Sequence, residues 1–429
     1  MSNGRRQLKI LLSAYACEPD KGSEPAVGWN WAIELSKRGH MVWVITRSNN
    51  REAIETAVRS NPQLLAIHFH YFDLGRWARR WKKAPAGIQI YYLLWQFGAT
   101  KLAKQLNQEV NFDLVHHVTF VGLRQPSFMG ALGIPFIFGP VAGGESAPFA
   151  LRRHFGWRAW FTDLLRDLVN KVAKVDPLVQ RCLRLATKVF VTSEQTQALI
   201  PTRYHHKTQK ELAIGLSQTE LNNATGKFSK TEPSGSASAL RVLYVGQFIE
   251  WKGMGLGIQA FSQLLAVAPN ASLTMIGNGR ATQKWKVIAQ RAGVSKAIHW
   301  LPWLPREQVL NAYLEHDVLL FPSLHDSGGM VVLEAMACGL PVVCLAIGGP
   351  AVTVDGTCGF CIPVSNSDES DVITKLATAL IHLQAMESRQ ELSEAARQRA
   401  KLFSWERLVP IVYGEFETAS AHKTSLVAP

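Results

Sequence analysis

Cysteine is scarce in this chain of 429 residues: six in all, at positions 17, 182, 338, 344, 358 and 361. They are too few and too scattered for a disulfide scaffold. Cys358-Gly-Phe-Cys361 has redox-pair spacing, but such pairs open a helix near the start of a small domain. This one lies late in the chain and enters a strand, so both cysteines are read as structural. No second Cys-x-x-Cys or His-x-x-x-His completes a set of four zinc ligands. No window reaches the ~18–20 apolar residues of a membrane span. No Gly-x-Gly-x-x-Gly follows the first expected strand, and Gly253-Met-Gly-Leu-Gly257 has the wrong spacing, which disfavours a nicotinamide-dependent enzyme.

Acid is the other shortage. Asp and Glu number 33 against 46 Lys and Arg, a net charge of +13. Such an excess implies an anionic partner: nucleic acid, an acidic membrane surface or a phosphorylated small molecule. No basic stripe is interleaved with a reader motif, so nucleic acid is not expected.

What is present is globular: 47% hydrophobic and 18% charged residues, with a length that implies two domains at roughly 100–200 residues each. Arg5-Arg6 and Lys9 precede a short apolar run, Ile10–Cys17, which is read as a buried first strand rather than a leader; a cytoplasmic protein is expected. Strands are expected at Lys9–Tyr15, Met41–Arg47, Ala66–Asp73, Asp113–Thr119, Phe136–Pro140 and Lys188–Ser193, with helices at Glu24–Arg38, Ile88–Glu109 and Trp157–Leu185. The second half repeats the scheme, with strands at Arg241–Val245, Ser272–Gly277, Ala297–Leu301, Val318–Leu324 and Pro341–Leu345. Its helices are expected at Leu256–Val267, Gln283–Ala292, Arg306–Leu314 and Val331–Cys338. Continuous apolar strands separated by helices argue for parallel sheets covered on both faces. Asn222–Ala239, rich in Ser, Gly, Thr, Asn and Pro, marks a loop between the halves. The architecture is α/β: two Rossmann-like, doubly wound domains facing each other across a cleft, with ligands beyond the carboxyl ends of the strands.

The richest segment is Phe321-Pro-Ser-Leu-His-Asp-Ser-Gly-Gly-Met-Val-Val-Leu-Glu-Ala-Met-Ala-Cys-Gly-Leu-Pro-Val-Val343. A strand ends, Gly328 and Gly329 follow, and a helix opens; backbone N–H groups at such a terminus receive phosphate. Asp326 and Glu334 flank that terminus, placed to accept hydrogen bonds from sugar hydroxyls. Lys252, in Val245-Gly-Gln-Phe-Ile-Glu-Trp-Lys-Gly253, stands just past a strand end, well placed to neutralise a diphosphate, although alone it reads as an exposed Lys. The N-terminal counterpart is Cys17-Glu-Pro-Asp-Lys-Gly-Ser-Glu24: Ser23 is suited to cap the next helix and Glu24 to complement its dipole. His116-His117 closes a strand. Side chains alternate across a strand, so one of the pair is expected to pack and the other to line the cleft mouth.

The run Ser323–Val343 resembles the Glu-x7-Glu signature of the retaining glycosyltransferases of family four, which have the GT-B fold. Leu333–Val343 is nearly as the family writes it. Leu35–Thr46 resembles the family's first helix and second strand, and Phe112–His116 its His-bearing strand. Gly246…Lys252-Gly253 resembles its phosphate-binding Gly-Arg-x4-Lys-Gly, Met275–Gly279 the next strand end, and Phe403–Trp405 the start of its last helix. Three positions depart from the pattern: Asp326 stands for the first Glu, Gln247 for the Arg, and Ser23 for the second Gly of an N-terminal pair. His117-Val-Thr119 lacks the frequent His-x-His, which leaves open whether His116 or His117 faces the cleft.

The resemblance implies transfer of a sugar from a nucleotide-diphosphate donor, with retention, to a glycan or lipid-linked glycan in cell-surface polysaccharide synthesis. It implies an acceptor domain at 1–207, a donor domain at 208–404 and a segment at 405–429 returning to the first domain. His116, His117, Asp326 and Lys252 become the catalytic candidates. Gln247, Lys252, Gly277, Asp326, Gly328, Gly329 and Glu334 become the donor site, with Glu334 on the ribose, and Gly22, Ser23 and Glu24 the acceptor-side loop. No metal or other cofactor is implied. The Gln247 departure keeps a second expectation open, a non-catalytic or weakened nucleotide-sugar-binding homologue. Finally, Arg76-Trp-Ala-Arg-Arg-Trp-Lys-Lys83 and Leu151–Val175 set cations beside aromatics in the acceptor half. That pattern suits a peripheral contact with an anionic membrane, at the inner face of which the protein is expected.

Overall fold

The computed structural model describes residues 6–19, 21, 24–75, 85–153, 155–226 and 239–418. In chain order the first half holds β1 (Lys9–Ser13), α1 (Glu24–Lys37), β2 (Met41–Thr46), α2 (Arg51–Ser60), β3 (Ile67–Tyr71), α3 (Pro85–Val110) and β4 (Leu114–His117). It continues with β5 (Phe136–Val141), α4 (Trp157–Ala173), α5 (Pro177–Leu185), β6 (Lys188–Val191), α6 (Glu194–Leu199) and β7 (Thr208–Lys210). The second half holds α7 (Gln218–Gly226), β8 (Arg241–Val245), α8 (Met254–Val267), β9 (Ser272–Ile276), α9 (Thr282–Arg291), β10 (Ile298–Leu301), α10 (Arg306–Glu315) and β11 (Val318–Phe321). There follow α11 (Met330–Ala337), β12 (Val342–Leu345), α12 (Pro350–Thr353), β13 (Gly359–Ile362), α13 (Glu369–His382), α14 (Met386–Lys401) and α15 (Trp405–Thr418).

Two parallel sheets result, in the orders β3-β2-β1-β4-β5-β6-β7 and β10-β9-β8-β11-β12-β13. Helices cover both faces, which is why strands such as β5 and β11 are buried along their whole length and read as unbroken apolar runs. In each sheet the chain winds outward one way and then returns to the centre. The switch points lie between β1 and β4 and between β8 and β11, and the loops leaving those four strands form the facing walls of one cleft.

Two expectations need correction. Trp157–Leu185 is not one helix: Asp176 caps a second one, its Oδ1 accepting from Leu178 N at 2.7 Å and Val179 N at 3.1 Å, with Pro177 in the first turn. The first domain also runs past residue 207, because Thr208–Lys210 pairs with β6 as a seventh strand. That strand carries Thr, Gln and Lys and lies at the sheet edge, so it lacks the apolar run that marks the others.

The chain crosses between domains twice, side by side: Leu216 N donates to Phe403 O at 2.9 Å and Trp405 N to Leu216 O at 3.1 Å. After the second crossing, α15 packs on α1. Arg38 Nη2 donates to Glu417 Oε2 at 2.7 Å, and Trp405 meets Trp31 edge-on at 5.2 Å.

Candidate active site at the domain interface

Lys252 and Asp326 occupy the centre of the lower wall. Lys252 lies on the loop after β8, and Gly253 beside it has φ +71° with the place of a Cβ only 1.9 Å from Pro322 O. Only glycine lets this loop lie so close to the one after β11. Lys252 Nζ is thereby held 2.5 Å from Asp326 Oδ2. The other carboxylate oxygen, Oδ1, accepts from Gly329 N at 2.7 Å and Gly328 N at 3.2 Å. Asp326 is therefore the anion seated at the N-terminus of α11, and the Gly328 and Gly329 amides expected to hold phosphate are engaged by it.

Glu334 lies deeper. Its Oε1 accepts from Arg306 Nη2 at 3.0 Å and its Oε2 from Tyr313 Oη at 3.3 Å. Arg306 also pairs with Glu220 of α7. Burial pushes the Glu334 carboxyl above its ordinary range, and the Arg306 charge opposes that rise. Gln247 stands exposed at the end of β8, its own carbonyl accepting from Tyr244 Oη at 3.0 Å. Gly277, at the end of the neighbouring β9, lies against the Gly246 carbonyl. Gln247 and Gly277 thus lie just beyond the carboxyl ends of β8 and β9, and Glu334 lies within α11.

The upper wall comes from the first domain. Glu24, at the start of α1, accepts from Phe120 N at 2.6 Å; Gly22 and Ser23 lie outside the described residues. Phe120, Arg124, Glu145 and Arg166 line the same cavity of about 470 Å³ as Lys252, His325 and Asp326. Glu145 is 4% exposed, and its Oε1 accepts from the hydroxyls of Ser193 at 2.7 Å and Thr196 at 3.0 Å, while Oε2 accepts from Gly143 N at 2.9 Å. Across the cleft, His325 Nε2 lies 2.7 Å from Asp163 Oδ1, and Arg152 Nε lies 3.0 Å from Asp163 Oδ2. This buried triplet fastens α4 of one domain to the Asp326 loop of the other.

The histidine pair does not reach the cleft. His116 and His117 are both 0% exposed. His116 Nδ1 lies 2.5 Å from Tyr413 Oη and Nε2 2.7 Å from Gly139 O. His117 Nε2 lies 2.8 Å from Tyr92 Oη and Nδ1 2.9 Å from Ser13 Oγ. Alternation does separate the two, but β4 is central and covered on both faces, so each ring enters a packed layer. Burial pulls both imidazoles down to about 3. Neither is placed to touch a substrate.

Beside this geometry stands a likeness in sequence. Residues 230–399 match the family model of the glycosyl transferases group 1. The D-inositol 3-phosphate glycosyltransferase of Mycolicibacterium smegmatis is 31% identical over 180 residues, 42% of this chain and 40% of that protein. The same enzyme of Geodermatophilus obscurus is 30% identical over 192 residues, 42% of this chain and 41% of that one. The chain thus spans about two fifths of the length of these curated relatives. Among solved structures, a glycosyltransferase from Rickettsia africae aligns with a TM-score of 0.59 at 16% identity, covering 96% of this chain and 100% of that one. Anabaena HepE in complex with UDP and glucose aligns at 0.57 and 15% identity, with 96% and 100% covered. The fold is GT-B: two Rossmann-like domains on parallel sheets of seven and six strands.

The group 1 segment contains Lys252, His325, Asp326 and Glu334, whereas Glu24, Arg124, Glu145 and Arg166 lie outside it. Sequence reasoning missed Arg124, Glu145, Asp163, Arg166 and His325. Only His325, adjacent to Asp326, carried a local signal. Among the described residues no cluster of three or more His, Cys, Asp or Glu is arranged to hold a metal, and no helix is long and apolar enough to cross a membrane.

Proposed function

We propose that the protein transfers a hexosyl unit, with retention, from a nucleotide-diphosphate sugar to a glycan or lipid-linked glycan during synthesis of a cell-surface polysaccharide. The observation that carries this reading is the Lys252–Asp326 pair at the helix terminus, inside the group 1 segment and facing Arg124 and Arg166 across one cavity. The second domain holds the nucleotide, with Gln247, Gly277 and Glu334 along the strand ends and Glu334 toward the ribose. The first domain, with Glu24 at its rim, takes the acceptor.

In the reaction, the bond between the anomeric carbon and the diphosphate oxygen breaks, and the diphosphate leaves with the electron pair. Lys252 stabilises the charge that develops there; such preorganised electrostatics is the largest single aid to this kind of step. Arg124 and Arg166 add positive charge from the opposite wall and compensate for Gln247, which stands where a fixed cation is otherwise found. Asp326 holds the donor sugar hydroxyls. The acceptor hydroxyl enters on the face the diphosphate leaves and passes its proton to the departing oxygen, so no protein base is required. The reading relies on these cations rather than on a metal. We place the protein in the cytoplasm, peripheral to the inner membrane face. The Arg76–Lys83 patch, proposed as part of that contact, lies outside the described residues.

Gln247 favours a second reading, a homologue that binds nucleotide sugars without turnover. One experiment separates the two: the full chain is screened against nucleotide-diphosphate sugars for thermal stabilisation and for release of free nucleoside diphosphate. A true donor at 100 times its Kd adds about 2.7 kcal/mol of stability. Stabilisation with slow hydrolysis supports the enzyme. Stabilisation without hydrolysis supports the binding homologue, and absence of both defeats either reading.

A further inference from the structure

Helix α4 is built inside out. At 3.6 residues per turn, Trp157, Phe161, Leu164, Leu165, Leu168 and Val172 share about 100° of its circumference. Their exposures are 75%, 59%, 41%, 49%, 58% and 54%. The opposite side, turned into the protein, carries Ala159, Asp163, Asn170 and Ala173. A helix at a protein surface ordinarily buries its apolar stripe and exposes its polar one. Here the polar groups are the ones in use: Asp163 joins His325 and Arg152, and Asn170 Nδ2 donates to Gly143 O at 2.9 Å.

The charges complete the pattern. Arg158 and Lys171 border the apolar stripe on its two sides and are exposed. The acids of the same helix are spent elsewhere: besides Asp163, Asp167 accepts from Arg152 Nη2 and from Ser146 Oγ, each at 2.6 Å. On α5, three residues further on, Leu178 and Leu185 are again exposed, with Arg181 and Arg184 beside them. Those residues open into a slot of about 280 Å³ whose walls are Phe97, Phe128, Leu178 and Leu185, with Lys101, Lys104 and Arg181 around it. An apolar stripe edged by exposed cations is complementary to an anionic bilayer, whose headgroups meet the cations and whose acyl region takes the rings.

We propose that the outer face of α4, extended by α5, lies in the headgroup plane of an anionic membrane. The contact stands independently of the proposed transfer reaction. Its consequence for that reaction rests on the proposed function: Asp163 ties this helix to the Asp326 loop, so the cleft opens about one helix diameter, ~10 Å, from the headgroups, within reach of a lipid-linked acceptor.

The test uses the full chain with vesicles of phosphatidylcholine, with and without phosphatidylglycerol, at low and high salt. Wild type is expected to co-sediment with the anionic vesicles at low salt, to release at high salt and to ignore the neutral ones. Two multiple variants, Trp157→Ser with Phe161→Ser and Leu168→Ser, and Arg158→Ser with Lys171→Ser, are each expected to lose at least about tenfold in partitioning. The affected side chains are exposed, so melting temperature and nucleotide-sugar binding should stay as in wild type; a failure of the nucleotide reading is thus seen separately. Undiminished binding by the apolar variant overturns the proposal. So does absence of binding by the wild type, whether it sediments as a monomer or as a dimer that hides this face between two copies.

Discussion

The ammonium of Lys252 and the carboxylate of Asp326 meet at 2.5 Å although they belong to different loops, and the same carboxylate takes the amide hydrogen of Gly329 at 2.7 Å. Cation and helix terminus, the two features that would hold a diphosphate, are joined by one acidic side chain. Under the proposed function, an incoming diphosphate would displace that side chain, and Asp326 would then turn toward the sugar.

Lys252→Ala should leave the fold intact, since the side chain lies at the cavity and not in the core. Transfer is expected to fall by ~10²–10³, the loss typical of one preorganised electrostatic group. Turnover at the wild-type rate in a folded variant would remove Lys252 from the reaction.

Asp326→Ala should separate binding from turnover. Lys252 and the Gly328 and Gly329 amides lose their internal anion, so free nucleoside diphosphate is expected to bind at least as tightly as to wild type. Transfer should nevertheless collapse, because the donor sugar loses its acceptor of hydrogen bonds. Calorimetry with nucleoside diphosphate decides: weaker binding would mean the carboxylate supports the diphosphate site rather than competing for it.

Glu334→Gln keeps the shape but removes the charge that Arg306 and Tyr313 address. If the carboxylate also serves the ribose, donor affinity should fall ten- to a hundredfold, as for loss of a charged hydrogen bond worth about 1.5–3 kcal/mol. A change in melting temperature with no change in donor affinity would restrict Glu334 to positioning Arg306.

The buried histidine pair makes stability depend on pH. Both rings titrate at 6.5 in the unfolded chain and only at about 3 in the folded one. Above 6.5 they are neutral in both states and their contribution is intact; as pH falls below 6.5 the unfolded chain takes up protons that the native protein refuses. Stability should therefore drop by about 2 kcal/mol for the pair between pH 6.5 and 5.5. Denaturant unfolding at those two pH values, with the same midpoint at both, would contradict this.

Cys358 and Cys361 should be dispensable. Burial pushes the Cys358 thiol up to about 11, and Cys361 lies opposite Cys344 across the β12–β13 pair, not at a helix start. Replacing both by Ser is expected to keep activity within a few fold of wild type and indifferent to reductant. Activity that depends on reductant in the wild type and vanishes in the double variant would reverse the judgement.

Much of the fold was determined by local sequence alone. Short apolar runs such as Phe136–Val141 and Val318–Phe321, set between helical patterns, read as buried parallel strands, and the glycines around Lys252 and Asp326 mark the turns that follow. Thr208–Lys210 escaped because an edge strand need not be apolar, and the break at Pro177 because its cap is a single Asp. The lower wall of the site was legible for the same local reason: Lys252, Asp326 and Glu334 sit at fixed distances from strand ends. Tertiary structure alone decided the rest. Two covered sheet faces took both histidines out of the cleft, domain apposition brought Asp163 to His325, and α4 turned its acids inward and Trp157 out. Alternation and periodicity specify which residues share a face, but only the packed neighbours determine what that face meets.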